Sequence, residues 1–114
     1  MSYRVYSSPI ATIANGQTTS DEVDTRGLHV IGIQFPAAFT GASISLQRAT
    51  NSGGTFAAVR DINNAGAFTV PATAGAYVPL DPVVTLGLQY VKIVSASSEG
   101  AQRLVELVCV PVVR

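Results

Sequence analysis

The feature that most constrains the fold of this chain is a two-residue hydrophobic period, broken at short intervals by turn-forming residues. In the stretch ASISLQRA, Ala42, Ile44 and Leu46 alternate with polar residues, which is the pattern of a strand with one face toward water. Turn signals such as Asn15-Gly16 and Asp81-Pro82 recur at intervals of roughly 8 to 12 residues, the spacing of sandwiches and barrels. Ten glycines and six prolines interrupt every window of helix length. We therefore predict an all-β fold, a single antiparallel β-sandwich of the jelly-roll or immunoglobulin-like kind.

The same pattern predicts about eight short strands in one domain. A chain of 114 residues has room for one domain, so we expect residues 1–114 to form one sandwich, with an extended arm at residues 1–8 and a tail at residues 111–114. Internal repeats are absent from the sequence, which excludes a propeller or a solenoid. The predicted strands cover residues 9–14, 19–24, 28–35, 42–49, 56–60, 67–70 continuing irregularly to 80, 88–95 and 103–112.

Two of these strands carry apolar residues on both faces. In LHVIGIQF, Ile31, Ile33 and Phe35 share one face while Leu28 and Val30 share the other. A sandwich strand needs only one buried face, so a second apolar face must be covered by a neighbouring element or by a partner. The last strand has the same character, with Glu106 as the only charge inside a run made of Leu104, Val105, Leu107, Val108, Cys109 and Val110.

Charged residues are scarce in this chain. It has seven basic and seven acidic residues, 12% of the total, which is about half of the usual share. The zero net charge favours association with other proteins, and the lack of a basic stripe excludes nucleic acid as a partner. Six of the seven cations are arginines, the cation that protein interfaces enrich. The sequence contains no apolar run of membrane-spanning length and no secretory signal pattern, so we expect no membrane partner.

The segment MSYRVYSSP at the N-terminus combines tyrosine and arginine, the side chains most often found as interface anchors. Tyr3, Arg4 and Tyr6 lie close together in it. One interpretation is an arm that docks on a neighbouring molecule. The other is an edge strand or a frayed terminus.

Two glycine-containing loops resemble ligand motifs and are better explained as turns. The segment SGGTF, residues 52–56, resembles the Asp-box hairpin of sialidases, but it occurs once and lacks the aspartate and the tryptophan. We expect its glycines to form a turn and Phe56 to point into the core. The segment DINNAG, residues 61–66, resembles the start of an EF-hand loop. Ala65 and Ala72 stand where ligands are required, so we expect an Asx turn.

The remaining residues do not point to catalysis. His29 has no second histidine or cysteine pair to complete a metal site, and the single cysteine, Cys109, lies in a strand where we expect a buried thiol. The sequence has no nucleophile elbow, phosphate loop or dinucleotide fingerprint. We therefore expect a non-enzymatic protein without catalytic residues, metal or cofactor. The acidic residues fall in predicted turns, at strand starts or on an exposed face: Asp21, Glu22, Asp24, Asp61, Asp81, Glu99 and Glu106.

The order of several short motifs resembles a group of small proteins encoded among the structural genes of tailed bacteriophages. The likeness covers residues 11–95, from IANGQTTSDEVDTRG through AGAYVPLDP to GLQYVKIVS. Its sharpest points are Ala14-Asn15-Gly16, Phe35-Pro36 through Thr40-Gly41-Ala42, Ser52-Gly53-Gly54-Thr55-Phe56 and Leu80-Asp81-Pro82. The resemblance implies a component of the virion, and it brings no catalytic residues with it.

The resemblance and the composition together predict a capsid decoration or cement protein that binds and stabilises the major capsid shell. Its partners would be the major capsid protein and copies of itself, since a homo-oligomer suits a neutral, arginine-bearing surface. It would be made in the host bacterial cytoplasm and reside in the virion, in the phage head. The interface contacts that we predict lie at both termini: Tyr3, Arg4, Tyr6, Val112, Val113 and Arg114.

The alternative from another class is a glycan-binding module or adaptor of the phage tail, neck or fibre. Jelly-roll sandwiches often bind sugars, and the neutral, hydroxyl- and amide-rich sequence is compatible with that role. Against it stands the absence of tryptophan. Only Phe39 and Tyr77 fall in predicted loops where a sugar could stack on an aromatic ring.

Overall fold

The computed structural model describes residues 8–112, which form nine strands and one single-turn helix. The all-β prediction is confirmed. The structure has one strand more than the eight expected, because the predicted stretch 67–80 contains two separate strands. The elements are β1 Ile10–Ile13, β2 Val23–Asp24, β3 Leu28–Gln34, β4 Ser43–Ala49, β5 Ala57–Ala58, β6 Thr69–Pro71, β7 Tyr77–Pro79, α1 Pro82–Thr85, β8 Tyr90–Ser95 and β9 Arg103–Pro111.

The strands form two antiparallel sheets packed face to face. Sheet A has the order β1-β9-β3-β7, and sheet B has the order β2-β8-β4-β5, with β6 also paired to β4. Every connection except those from β4 to β5 and from β5 to β6 crosses from one sheet to the other. First and last strands therefore pair, as do second with eighth and third with seventh. This is the winding of a jelly roll, the first of the two predicted alternatives.

The core lies between the sheets and is built from alternate residues of the long strands. Ile44 and Leu46 of β4, Ile93 of β8, and Val105 and Leu107 of β9 are all at most 1% exposed. Burying each of these side chains contributes about 1.5 to 3 kcal/mol to the free energy of folding. The two-residue period of the sequence thus selects the residues that join the sheets.

Strand β3 departs from a regular two-residue alternation. Its pairing with β9 shifts between Val30 and Gly32, which leaves Ile31 as an extra, half-buried residue in a β-bulge. The bulge places Val30 and Ile33 on the same, fully buried side. The prediction that Ile31 and Ile33 share a face opposite Val30 is therefore wrong, because an inserted residue reverses the alternation.

The edges of sheet A are blocked by other parts of the chain. At the β1 edge, the Asp21 N–H donates to the Thr12 carbonyl (3.1 Å) and the Thr12 N–H donates to Asp21 Oδ1 (2.8 Å). At the other edge, β7 is three residues long and ends at a proline. Beyond β7, helix α1 covers β3, and the Thr85 hydroxyl donates to the Val30 carbonyl (2.7 Å). Short edges that are occupied or lack donors resist the addition of another strand.

The one helix starts at a predicted turn signal. The Asp81 carboxylate accepts a hydrogen bond from the Val83 N–H (3.0 Å), and Pro82 occupies the first turn, where its missing N–H has no consequence. Among residues 8–112, no helix is long and apolar enough to cross a membrane.

The two loops that resemble ligand motifs have structural partners. Asp61 Oδ1 accepts from the N–H groups of Asn63 (3.0 Å) and Ala65 (2.9 Å), which confirms the Asx turn. Glu22 accepts hydrogen bonds from the Ser52 hydroxyl and from the Gly53 N–H, and so anchors the glycine turn.

The position predicted for Phe56 is wrong. Its side chain is half-buried and does not belong to the core; the Lys92 ammonium lies 4.5 Å from its ring centroid. Lys92 faces away from the core on β8, so Phe56 packs on the outside of sheet B.

Candidate interaction surface

The side of sheet A that faces away from sheet B is a continuous surface, which we call the outer face of sheet A. Its residues alternate with buried ones along each strand, and the strand registers place them in rows. In one row, Glu106 of β9 pairs with Ile10 of β1 on one side and with Gln34 of β3 on the other. The face comprises Ile10, Thr12, Leu104, Glu106, Val108, Val110, His29, Gly32, Gln34, Tyr77 and Pro79.

Large apolar side chains are exposed on this face. Ile10 is 43% exposed, Tyr77 45% and Leu104 52%. Val108 and Val110, farther along β9, are half-buried. The prediction that β9 is apolar on both sides is confirmed: its inner residues fill the core, and its outer residues form the middle of this surface.

The two outer faces of the sandwich differ in polarity. Within the part of the chain that the structure describes, Glu106 is the only carboxylate or basic side chain placed on the outer face of sheet A, apart from the imidazole of His29. Sheet B instead exposes the Asp24–Arg26 ion pair, with the guanidinium 5.0 Å from the Tyr90 ring centroid. Its outer positions also include Ser43, Ser45, Gln47, Thr69 and Lys92. Of the two outer faces, that of sheet A is therefore the more apolar.

Tyr77 is held on the outer face of sheet A by the lack of a side chain at Gly32. A Cβ at position 32 would collide with the hydroxyl and ring carbons of Tyr77, so the ring lies directly over this glycine. Gly32 does not have a positive φ, and its smallness is therefore used for packing rather than for backbone conformation. The phenol ring becomes part of the flat surface beside Val108, the cross-strand neighbour of Gly32.

We expect Gly32→Ala to lower the free energy of unfolding by about 1 to 2 kcal/mol, because the new methyl group displaces the Tyr77 ring. In a Tyr77→Ala background the same change should cost much less, since the obstructing ring is gone. Urea unfolding of the four proteins in this cycle measures the difference. An equal cost of Gly32→Ala in both backgrounds would contradict the packing described here.

A second cluster of polar groups lies at one end of the sandwich, around the carboxylate of Glu99. The side chain of Glu99 is fully buried and forms an ion pair with Arg103 (Oε1 to Nε, 2.9 Å). It also accepts hydrogen bonds from the Thr40 N–H and hydroxyl (3.0 Å each), the Gly41 N–H (3.0 Å) and the Ser95 hydroxyl (3.2 Å). Glu99 lies between β8 and β9, where the sequence predicts a turn, and the structure adds that its side chain is buried there.

The Glu99 carboxylate holds Thr40, Gly41 and Arg103 together, and we interpret this as a role in stabilising the fold. Its backbone is held as well: the Gly16 N–H donates to the Glu99 carbonyl (2.8 Å) and the Glu99 N–H donates to the Gln17 carbonyl (3.1 Å). Glu99 thus joins three loops that are distant in sequence. Burial acts to raise the pKa of this carboxyl, but the hydrogen bonds from Arg103, Thr40 and Gly41 outweigh it and hold the pKa below its usual value.

The lowered pKa of Glu99 makes stability depend on pH. A carboxyl whose pKa is lower in the folded than in the unfolded protein stabilises the fold above its ordinary pKa of 4.5, and this contribution is lost as the pH falls through the folded value. We expect urea midpoints to decline below about pH 5 in the native protein and to decline less steeply in Glu99→Gln. Parallel pH profiles for the two proteins would show that other groups carry the dependence.

The terminal contacts predicted from the sequence fall mostly outside the described residues. Tyr3, Arg4, Tyr6, Val113 and Arg114 are all in the parts that the structure does not describe, residues 1–7 and 113–114.

Val112 is described, and it is 48% exposed. Its N–H donates to the Gly27 carbonyl (3.0 Å), so the predicted tail begins inside the sheet, and β9 itself ends at Pro111. Val112 follows Val108 and Val110 at the same two-residue spacing and extends the outer face of sheet A.

Of the two aromatics proposed for sugar stacking, one is not accessible. Phe39 is only 5% exposed and packs on Phe35, with ring centroids 5.0 Å apart. Tyr77 is exposed but lies in strand β7 instead of a loop. The prediction is therefore wrong for Phe39.

His29 and Cys109 both contact other parts of the fold. The Nε2 atom of His29 lies 3.0 Å from the Pro82 carbonyl oxygen, at the contact between β3 and α1. Cys109 is fully buried, as predicted, and burial raises the pKa of its thiol to about 11. Across residues 8–112, no group of three or more potential metal ligands is found.

No family model, no curated protein and no solved structure matches the chain.

Proposed function

We propose that this chain is a non-enzymatic structural protein of a tailed-bacteriophage virion, most specifically a decoration or cement protein of the capsid. The observation that carries the proposal is the outer face of sheet A, where Ile10, Tyr77 and Leu104 are exposed around a single carboxylate. A surface of this kind is stable in water when another protein covers it. The resemblance of residues 11–95 to small phage structural proteins supplies the type of assembly.

A role in a repeated assembly also suits the sparse charge. A protein with zero net charge packs beside many copies of itself and of the shell without mutual repulsion. In a capsid, each contact is repeated across the shell, so contacts of modest area add up to a stable attachment. In this proposal the predicted terminal residues provide the attachment to the shell: Tyr3, Arg4, Tyr6, Val112, Val113 and Arg114.

The first test is the number of copies of this chain per major capsid chain in purified particles from its source, measured by quantitative mass spectrometry. A ratio close to that of the shell protein, or a fixed fraction of it, supports a decoration role. A few copies per particle would place the protein in the neck or tail. Absence from particles would contradict a virion role altogether.

Removing residues 1–8 should leave the sandwich folded and weaken attachment to particles by about tenfold or more, since tyrosine and arginine anchors are lost. The truncation ends before β1 and spares the Pro9 carbonyl, which accepts from the Leu107 N–H (2.9 Å). Circular dichroism checks the fold, and sedimentation with particles measures binding. Loss of the fold would mean that the arm is part of the sheet; full binding by a folded protein would remove the arm from the contact.

The glycan-binding alternative keeps one supporting observation, the exposed ring of Tyr77 on the outer face of sheet A. Sugars stack on such rings, but the amide nitrogen of Gln34 in the same row already donates to the Phe35 and Gly75 carbonyls. The large apolar remainder of the face favours a protein partner over a sugar. A glycan array probed with the native protein and with Tyr77→Ala separates the two: binding that is lost in the variant would favour the sugar.

A further inference from the structure

Strand β1 pairs with only half of β9. Toward the N-terminus, the last bond between them joins the Leu107 N–H to the Pro9 carbonyl (2.9 Å), whereas β9 continues to Pro111. On the β1 side, residues 108–111 therefore have no partner strand within the described range 8–112. We call this stretch the open edge of β9.

The backbone of Cys109 points toward the open edge. Along an antiparallel strand, successive residues bond to the neighbours on alternate sides. Leu107 bonds toward β1, while the Val112 N–H donates to the Gly27 carbonyl next to β3 (3.0 Å). The odd-numbered residues of β9 thus bond on the β1 side, and the N–H and carbonyl groups of Cys109 face the open edge.

These two groups need partners, because Cys109 is 0% exposed. More than about 90% of buried backbone N–H and C=O groups in native proteins are hydrogen-bonded. Among residues 8–112, no backbone group pairs with Cys109 at the open edge. A strand from beyond these residues, or from another molecule, must therefore lie along it.

We propose that this strand is residues 1–7 of the same chain, which lie outside the described residues and which continue β1 along the open edge of β9. The described chain reaches Ser8, directly before Pro9, so the segment needs no turn to enter the edge. Seven residues of extended strand reach about 23 Å, and the four residues of the open edge span about 13 Å. The segment is therefore long enough to cover the edge.

The pairing of β1 sets the register of this continuation. Extended past Pro9, the register places Ser7 opposite Cys109 and Val5 opposite Pro111. Ser7 then exchanges both backbone hydrogen bonds with Cys109, and the Val5 N–H donates to the Pro111 carbonyl. The ladder has one gap, since Pro9 has no N–H to offer Leu107, and a proline at a sheet edge is tolerated.

The same register brings predicted terminal contacts together. It places Tyr6 opposite Val110 and Arg4 opposite Val112, and both valine positions belong to the outer face of sheet A. Tyrosine and arginine are frequent interface anchors, so the segment would be an edge strand and a contact surface at once. The proposal concerns the open edge and does not depend on the virion role.

The test is amide hydrogen exchange followed by NMR, in the full chain and in a chain that begins at Pro9. We expect the Cys109 amide to exchange about 100-fold faster in the shorter chain, because it loses its acceptor and its cover. The Val108 and Val110 amides bond toward β3 and are the internal controls. Their exchange should change by less than about tenfold.

Two matched proline variants test the register within the full chain. In the proposed pairing the Ser7 N–H points toward β9 and the Ser8 N–H points away from it. Ser7→Pro should therefore speed exchange of the Cys109 amide by about tenfold or more, and Ser8→Pro should leave it unchanged. This pair also decides the matter if the shorter chain does not fold. Equal exchange in the two variants would overturn the register.

Other outcomes would overturn the pairing itself. One is rapid exchange of the Cys109 amide in the full chain; another is equally slow exchange with and without residues 1–8. Slow exchange that develops only at high concentration, together with a dimer in sedimentation velocity, would show that the strand comes from a second copy. None of these results alters the number of copies in particles, so the pairing and the virion role fail separately.

Discussion

Glu99→Ala is expected to lower the free energy of unfolding by about 4 kcal/mol, because it breaks a buried ion pair and leaves several donors without acceptors. The lost acceptor serves Arg103 (2.9 Å), the N–H groups of Thr40 and Gly41 (3.0 Å each) and the Ser95 hydroxyl (3.2 Å). The Arg103 side chain is only 13% exposed, so its charge is left in a largely dry site. Urea unfolding followed by circular dichroism measures the change.

The matched control is the exposed ion pair between Asp24 and Arg26. Its N–O distance is also 2.9 Å, but its side chains are 51% and 60% exposed. Water and salt screen such a pair, so Asp24→Ala should change the unfolding midpoint very little. If Asp24→Ala and Glu99→Ala lowered the free energy of unfolding by similar amounts, burial would not be the reason that the Glu99 contacts stabilise the fold.

The strands of this fold can be predicted from the sequence where one face is clearly buried. The alternation from Ala42 to Leu46 places β4 within one residue of its observed start, Ser43. The same alternation fails at β3, since the bulge after Val30 depends on how that strand pairs with β9. A register shift is set by a partner distant in sequence, and the local pattern does not contain it.

The candidate surface could be predicted only in part. The sequence shows that β9 has a second apolar face, but Ile10 and Tyr77 join that face through pairing with distant strands. The sequence signal for the position of Tyr77 is Gly32 in the middle of β3, since a strand glycine often marks a close approach of another group. The local composition of the sequence instead favours the terminal tyrosines and arginines as contacts.

The burial of Glu99 has no local signal at all. The residue lies in the polar turn SASSEG, where an exposed side chain is the ordinary expectation. Its main-chain donors at Thr40 and Gly41 are 59 and 58 residues away. The packing of Phe39 on Phe35 fixes that distant loop and so creates the site for the carboxylate. Contacts of this range emerge only when the sheets are assembled.

Modification of Cys109 by a water-soluble disulfide reagent is expected to be at least about 10⁴-fold slower in the native protein than in the urea-unfolded chain, because the thiol is exposed only when sheet A opens. Cys109 is fully buried and pairs with Val30 at the middle of the sheet. With a pKa of about 11, only about one thiol in a thousand would be ionised at pH 8, even before access is considered. Native labelling close to the unfolded rate would contradict the buried position of β9.

The same thiol reports whether sheet A opens together with the loops that Glu99 holds. If opening requires global unfolding, Glu99→Ala should raise the labelling rate by about 1,000-fold, the factor that corresponds to about 4 kcal/mol. If sheet A opens locally, the rate should change little although the urea midpoint falls. Glu99 lies only four residues before β9, and Arg103, its ion-pair partner, is the first residue of that strand. The Glu99 contacts and β9 therefore belong to one cooperative unit that opens by global unfolding, and we expect the larger acceleration.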